Sequence, residues 1–416
     1  MNKKEIAVDI FSKKVCVVGL GYIGLPTSSL LACMGYDVYG VDISEKVVDT
    51  INQGKIHIVE NDLEEYVRKA VESGKLRCGL QPKEADIFII CVPTPFYLCD
   101  TSVPKPNIQY VLDAAKNIAP YLKKGDIVIL ESTSPVGTTE KVADTIKEHR
   151  PELFEKDGSL YFGYCPERVL PGRIMEELVE NDRIIGGINE DSGEIISVFY
   201  SSFVKGNVKV TNAKTAEMTK LVENSYRDVN IAFANEISLI ADKENINVWD
   251  LISLANLHPR VNILNPGCGV GGHCIAVDPW FIVSDNEENA RLIKTAREVN
   301  NRKPEWIVEK VLDYCADFRS EHGREPSVVC MGLAFKPDID DLRESPALYI
   351  AETLNSKGVS LIAVEPHIES HPFLNLLQTE EALAKADCVL FLVAHSAFKK
   401  LNCSDKYVMD FCGVQK

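Results

Sequence analysis

The chain has 416 residues, 45% of them hydrophobic and 25% charged, with a formal net charge of −16. This is ordinary globular composition with room for two or three domains, and the excess of acid excludes partners that need a basic face, so no nucleic-acid partner is expected. No run approaches the roughly 20 apolar residues that cross a bilayer, so no membrane partner is expected either.

The N-terminus, MNKKEIAVDIFSKK, has no long apolar segment, so no signal peptide is expected. The 13 cysteines are odd in number and form no CxxC pair, and many lie in apolar runs such as KVCVVGL, IFIICVP and SVVCMGL. That usage predicts a reduced, cytoplasmic protein whose thiols pack as small hydrophobes, and no metal is assigned.

The first predicted strand is KVCVVG at 14–19, an apolar run into a glycine turn. It continues as VVGLGYIG, placing Gly19, Gly21 and Gly24 in GxGxxG spacing, and a helix should follow from about Leu25. The first glycine serves the tight turn, the second the approach of a pyrophosphate, the third close packing of helix on strand. The next strand, DVYGVD, ends in Asp42, about 20 residues on. A carboxylate there accepts hydrogen bonds from a ribose diol and repels a 2′-phosphate, which predicts NAD rather than NADP.

Further buried strands are predicted in ADIFIICVP, GDIVILEST and YFGYCPE, with helices between them. Alternating strands and helices predict a parallel α/β sheet, whose ligands bind beyond the carboxyl ends of the strands. Thr94 and Thr133 each follow such a strand and are candidates to touch the cofactor; turn capping is the simpler alternative for each.

From Thr215 to Asn245 the chain reads as one long helix without Pro or Gly. Leu221, Tyr226, Val229, Phe233, Ile237 and Ile240 recur at roughly helical spacing. More helices, with the glycine-rich stretch GVGGHCIAVDP between them, should extend to about residue 318. A second strand–turn–helix–strand pattern starts near 326, with ADCVLFLVAH and YVMDFCG as later strands. The fold class expected is α/β, with two Rossmann-like doubly wound parallel-sheet domains, 1–208 and 319–416, joined by a helical central domain, 209–318.

Cys274 stands inside the glycine-rich stretch, with Asp278 four residues on, and Lys220 and Asn224 share a face of the long helix. Each alone has a bland reading, as a buried thiol or a solvated helix face. Together they fit one chemistry. A thiolate adds to an aldehyde made by alcohol oxidation, the thiohemiacetal is oxidised to a thioester, and water releases an acid. Lys220 would stabilise the developing oxyanion. Asn224 would orient water or the alkoxide, Asp278 would hold water or Lys220, and Glu167 in CPERVLPG could act as a base. The glycines would keep the thiol accessible.

The blocks VVGLGYIGLP, PERVLPGR, KLVENSYRDVNIAFANE, GVGGHCIAVDP and GLAFKPDIDDLRESPA span nearly the whole chain and together resemble the UDP-sugar 6-dehydrogenase family. His273 before the cysteine, IAVDPWF after it, PERVLPGR, and ANLHPRVNIL ahead of the glycines are similar to its N-acetylmannosamine branch. The resemblance implies oxidation of the C6 alcohol of UDP-N-acetyl-D-mannosamine to the uronate, with two NAD+ reduced to two NADH. It implies that Cys274 is the nucleophile and that Lys220 assists hydride transfer. It implies sugar-nucleotide contacts from Arg168, Val169, Asn224, Arg227, His258, Arg260, Gly271 and Lys336. It implies that Tyr22, Ile23, Asp42, Thr94 and Thr133 line NAD, with Arg343 reaching the cofactor. The long striped helix suggests a homodimer. Two alternatives stand beside this reading: the same chemistry on UDP-N-acetylglucosamine or UDP-glucose, and a non-catalytic NAD-binding protein, which would need no nucleophile.

Overall fold

Strand β1 (Lys14–Val18) sits mid-sheet because every residue after Lys14 is buried. Successive side chains alternate faces, so Val15 and Val17 enter one apolar cluster while Cys16 and Val18 enter another. The computed structural model describes residues 10–97, 103–155, 159–272 and 274–415; Cys99 and His273 lie outside the described residues. The chain divides into two units, 1–222 and 223–416.

In the first unit, β1 is joined by β2 (Asp37–Val41), β3 (Leu76–Gly79), β4 (Ile87–Ile90), β5 (Ile127–Leu130), β6 (Tyr161–Tyr164), β7 (Arg183–Gly187) and β8 (Val208–Asn212). Their order is β3-β2-β1-β4-β5-β6-β7-β8. The order reverses between β1 and β4, and a doubly wound sheet opens its ligand crevice at such a point. Neighbours pair parallel except β6 with β7, which pair antiparallel through Gly163 with Gly187 and Tyr164 with Gly186. The expected parallel sheet is thus parallel-dominated, with this one reversed pairing. The 165–182 connection spends its length on a loop and a seven-residue helix and turns the chain back instead of crossing over. β3, β7 and β8 have no counterpart among the predicted strands, being four or five residues long with Arg, Lys, Thr or Gly among them.

Helices α1 (Gly24–Cys33), α2 (Glu45–Asn52), α3 (Leu63–Glu72), α4 (Gln109–Ile118), α5 (Thr138–His149), α6 (Ile174–Glu180) and α7 (Glu190–Ser201) belong to this unit. The predicted long helix is α8 (Ala213–Lys243), which carries residues of both units.

The second unit continues with α9 (Val248–Ala255), α10 (Asp278–Asp285) and α11 (Arg291–His322). Helix α11 ends at Gly323 with φ 65°, the left-handed conformation in which glycine has no Cβ to penalise. A parallel four-stranded sheet follows, ordered β10-β9-β11-β12, from β9 (Ser327–Met331), β10 (Ser360–Val364), β11 (Cys388–Phe391) and β12 (Tyr407–Asp410). Helices α12 (Pro346–Ser356) and α13 (Thr379–Lys385) complete it. Val328 and Cys330 face one core cluster, Val329 and Met331 the other. Among the described residues, no helix is long and apolar enough to cross a membrane.

Candidate active site

The turn after β1 is built by its glycines. Gly19 has φ 93°, and a Cβ on it would stand 2.7 Å from the Cys91 carbonyl oxygen. A Cβ on Gly24 would fall 1.8 Å from the Gly19 oxygen, so the start of α1 packs directly on the turn. Gly21 is different: nothing lies within 4 Å of where its Cβ would be. The middle glycine therefore borders open space, as the approach of a pyrophosphate requires. Tyr22 and Ile23 follow in the same turn, Tyr22 exposed and Ile23 half-buried.

Asp42 caps the neighbouring strand. Its Oδ2 accepts from the Leu20 N–H at 3.1 Å and its Oδ1 from the Ser44 N–H at 2.9 Å. Each carboxylate oxygen keeps a further lone pair, which is what a ribose diol needs. Thr94 and Thr133 are brought together: the Thr94 hydroxyl donates to the Thr133 carbonyl at 2.6 Å. This joins the loops after β4 and β5, beside the turn formed by β1. Gly19, Gly21, Gly24 and Asp42 stand at the carboxyl ends of β1 and β2 and Thr94 and Thr133 on the loops after β4 and β5, and these residue types fit a dinucleotide.

Beneath these loops lies a buried polar cluster that sequence reasoning missed. Glu131 follows β5 and accepts from the Tyr200 hydroxyl at 2.5 Å and the Cys91 thiol at 3.4 Å. Burial and the nearby Glu167 charge push its carboxyl up to about 7. Glu167 is 7% exposed. Its Oε2 accepts from Arg183 Nη1 at 2.8 Å and its Oε1 from the Arg168 N–H at 2.6 Å. Both oxygens of the predicted base are therefore engaged, and a buried guanidinium holds the carboxylate as a counter-ion. Arg183 lies 16 residues away, at the start of β7, so no local pattern announces the pair. Arg168 and Val169 are half-buried, next along the same loop.

In the second unit the glycine-rich stretch is wedged against the loop after β9. A Cβ on Gly271 would meet the Glu344 oxygen at 2.5 Å and Phe335 Cβ at 2.8 Å, so only glycine fits. The Gly272 N–H donates to the Arg343 carbonyl at 3.3 Å. Cys274 is exposed and unbridged, and its carbonyl accepts from the N–H groups of Val277 and Asp278 as the chain turns into α10. Asp278 is buried, and its Oδ2 accepts from Asn224 Nδ2 at 2.5 Å. The structure thus brings Asn224 and Asp278 together across 54 residues of sequence. Lys220 is half-buried, one turn before Asn224 on α8.

The same stretch is anchored by a ladder between α8 and α11. Arg297 and Asn300 donate to Asp228 Oδ1 at 2.6 and 2.8 Å, Asn235 donates to Asn300 at 2.9 Å, and the Gly267 N–H donates to Asn235 at 2.9 Å. None of these was singled out from the sequence, because polar residues on a helix read as solvent-facing.

The other predicted contacts are more exposed. Arg227 lies on the outer face of α8, and His258 and Arg260 lie in the exposed turn after α9. Lys336 is half-buried in the loop after β9. Arg343 is exposed and forks onto Asp341, with Nη2 2.6 Å from Oδ2. In the same loop region, Asp338, His367 and His395 gather three ligand-type atoms within 4.8 Å. His395 already accepts the Asp338 N–H at Nδ1 and faces Glu365 with Nε2, so its ring nitrogens are engaged within the protein.

Three models of the UDP-glucose/GDP-mannose dehydrogenase family match in succession: the NAD binding domain over residues 13–204, the central domain over 214–302 and the UDP binding domain over 329–415. The chain is 53% identical over 418 residues to the UDP-N-acetyl-D-mannosamine dehydrogenase of Escherichia coli, covering 96% of this chain and 98% of that one. It is 52% identical over 406 residues to the NDP-N-acetyl-D-galactosaminuronic acid dehydrogenase of Ralstonia nicotianae, covering 95% and 94%. The solved UDP-D-ManNAc dehydrogenase of Pyrococcus horikoshii superposes with a TM-score of 0.87 at 38% identity, covering 97% of this chain and 96% of that one.

Proposed function

The chain belongs to the UDP-glucose/GDP-mannose dehydrogenase family and is an NAD-dependent dehydrogenase, and on that premise we propose that it oxidises the C6 alcohol of UDP-N-acetyl-D-mannosamine to UDP-N-acetyl-D-mannosaminuronate. The observation that carries the chemistry is Cys274, an exposed thiol in a stretch where only glycines fit, beside a buried Asn224–Asp278 pair. NAD, when bound, supplies the hydride acceptor for two successive two-electron oxidations.

The residues of the chain do the rest. Cys274 adds as thiolate to the aldehyde carbon, and after the second oxidation it holds the acyl group as a thioester that water cleaves. Lys220 balances the negative charge on oxygen in each step. Asn224 donates to Asp278 Oδ2, and Asp278 orients the attacking water. Glu167, paired with Arg183, is the second candidate base beside Asp278. Gly19, Gly21, Tyr22, Ile23, Gly24, Asp42, Thr94 and Thr133 hold NAD, with Arg343 as a further contact. Arg168, Val169, Arg227, His258, Arg260, Gly271 and Lys336 bind the sugar nucleotide. We divide these duties among three segments, 1–208 for cofactor, 209–318 for catalysis and 319–416 for UDP.

A homodimer and a cytoplasmic setting complete the reading. Tyr226, Phe233 and Ile240 stand half or more exposed at seven-residue intervals along α8, an apolar stripe that suits a second copy. The described cysteines are all unbridged, as in a reducing compartment.

The Ralstonia relative favours a second reading, the same oxidation of an N-acetylgalactosamine nucleotide. The test is a panel of UDP-hexoses with NADH counted at completion. UDP-N-acetylmannosamine should be turned over best and yield two NADH per sugar. Preference for the galacto epimer would select the second reading, and a preference for UDP-glucose would refute both.

A further inference from the structure

The loop that carries Arg168 and Val169 is held by two kinds of latch. The local ones come from within 13 residues of it. Asn181 Nδ2 donates to the Arg168 carbonyl at 3.1 Å, and the Leu170 N–H donates to Glu177 Oε2 at 2.8 Å. The remote ones come from the segment between α2 and α3. The Gly172 N–H donates to Glu60 Oε2 at 2.8 Å, and the Ile174 N–H donates to Glu60 Oε1 at 3.0 Å. Asn61 Nδ2 donates to the Gly172 carbonyl at 2.8 Å. Sequence separations here are 111 to 114 residues.

The distinction matters physically. A local latch shapes the loop but travels with it, whereas a remote latch fixes where the loop stands against the sheet. Glu60 is 8% exposed, and a carboxylate accepting two backbone N–H groups in such a place makes strong, charge-assisted bonds. Gly172, with φ 94°, presents both its N–H and its carbonyl to the 60–61 pair. The segment 53–62 also leaves α2, whose capping residue Ser44 donates its N–H to Asp42. The anchor of the loop is thus continuous in chain with the cofactor carboxylate.

We propose that Glu60 and Asn61 are positioning residues for sugar-nucleotide recognition, clamping the loop at Gly172 and Ile174 so that Arg168 and Val169 are set before the ligand arrives. This rests on the reading that those two residues meet the sugar nucleotide. A loop ordered in advance does not spend binding energy on becoming ordered.

The experiment combines steady-state kinetics with hydrogen–deuterium exchange on the intact, substrate-free protein. Glu60→Ala should raise KM for UDP-N-acetylmannosamine on the order of tenfold while KM for NAD stays within about twofold. Glu60→Gln retains one acceptor and should fall between. Asn61→Ala, at an exposed position, should move the same KM in the same direction, and it decides the matter if Glu60→Ala does not fold. Exchange should rise in the peptide spanning 168–174 and stay unchanged at 19–24. Unchanged exchange at 168–174 overturns the clamp. Faster exchange with an unmoved sugar KM overturns the positioning role. A wild-type protein inert toward UDP-N-acetylmannosamine would instead sink the substrate reading, and the exchange data would still judge the clamp.

Discussion

Cys274 differs from most of its fellow cysteines in what surrounds it. Burial pushes the thiols of Cys16, Cys78, Cys165, Cys268 and Cys388 up to about 12, so they pack as hydrophobes. Cys274 is exposed at the turn into α10. Cys274→Ala should abolish conversion to acid. Cys274→Ser should be slow and retain a sugar ester on the 274 peptide by mass spectrometry, since an alkoxide leaves less readily than a thiolate. Lys220→Ala should slow both oxidations on the order of a hundredfold or more in single-turnover measurements. Near wild-type yield of two NADH from Cys274→Ala would reduce the thiol to packing. The glycines of the first turn make a second pair of contrasts. Gly21→Ala meets no protein atom within 4 Å, so melting temperature should hold while NAD binding falls, read by calorimetry. Gly24→Ala places its Cβ 1.8 Å from a backbone oxygen, so it should cost about 1–3 kcal/mol or more of stability in urea.

At the scale of elements, α8 and α11 meet through polar groups. Lys303 is 2% exposed on α11, donates to the Ser238 hydroxyl and lies 4.4 Å over the Trp306 ring. Burial pushes its ammonium down to about 8. A base whose pKa is depressed by folding binds fewer protons folded than unfolded between that value and the usual lysine range. Stability should therefore rise with pH from about 8 toward 10.5, by on the order of 3 kcal/mol. Lys303→Met should lack that increment when urea midpoints are compared at pH 8 and 10. Equal slopes for the two proteins would show that the ammonium is not desolvated.

For the whole molecule, the face that α8 buries is the informative one. Asn224, Ser225, Asp228, Asn235 and Ser238 are buried, whereas Tyr226 and Phe233 are 69% and 51% exposed. Several large apolar residues of this helix are thus exposed while its polar ones are buried, and the dimer proposed above would cover them. Phe233→Asp should convert a dimer to a monomer in sedimentation velocity at micromolar concentration. A wild-type protein already monomeric there would refute the interface.

Much of the candidate cofactor site is legible in the sequence. A glycine turn between a buried strand and a helix, and a carboxylate at the end of the next strand, are set by backbone requirements within about 25 residues, and these act on any chain with that spacing. The length of α8 was legible for the same reason, since helix formation depends on near neighbours. Its buried face was not, because apolar periodicity marks a surface to be covered without saying by what. The clamp of Glu60 on Gly172, the pairing of Arg183 with Glu167 and that of Asn224 with Asp278, and the reversal between β6 and β7 were decided only by the tertiary structure. The three side-chain pairings join polar groups 16 to 112 residues apart at about 3 Å, and no spacing along the sequence encodes those meetings.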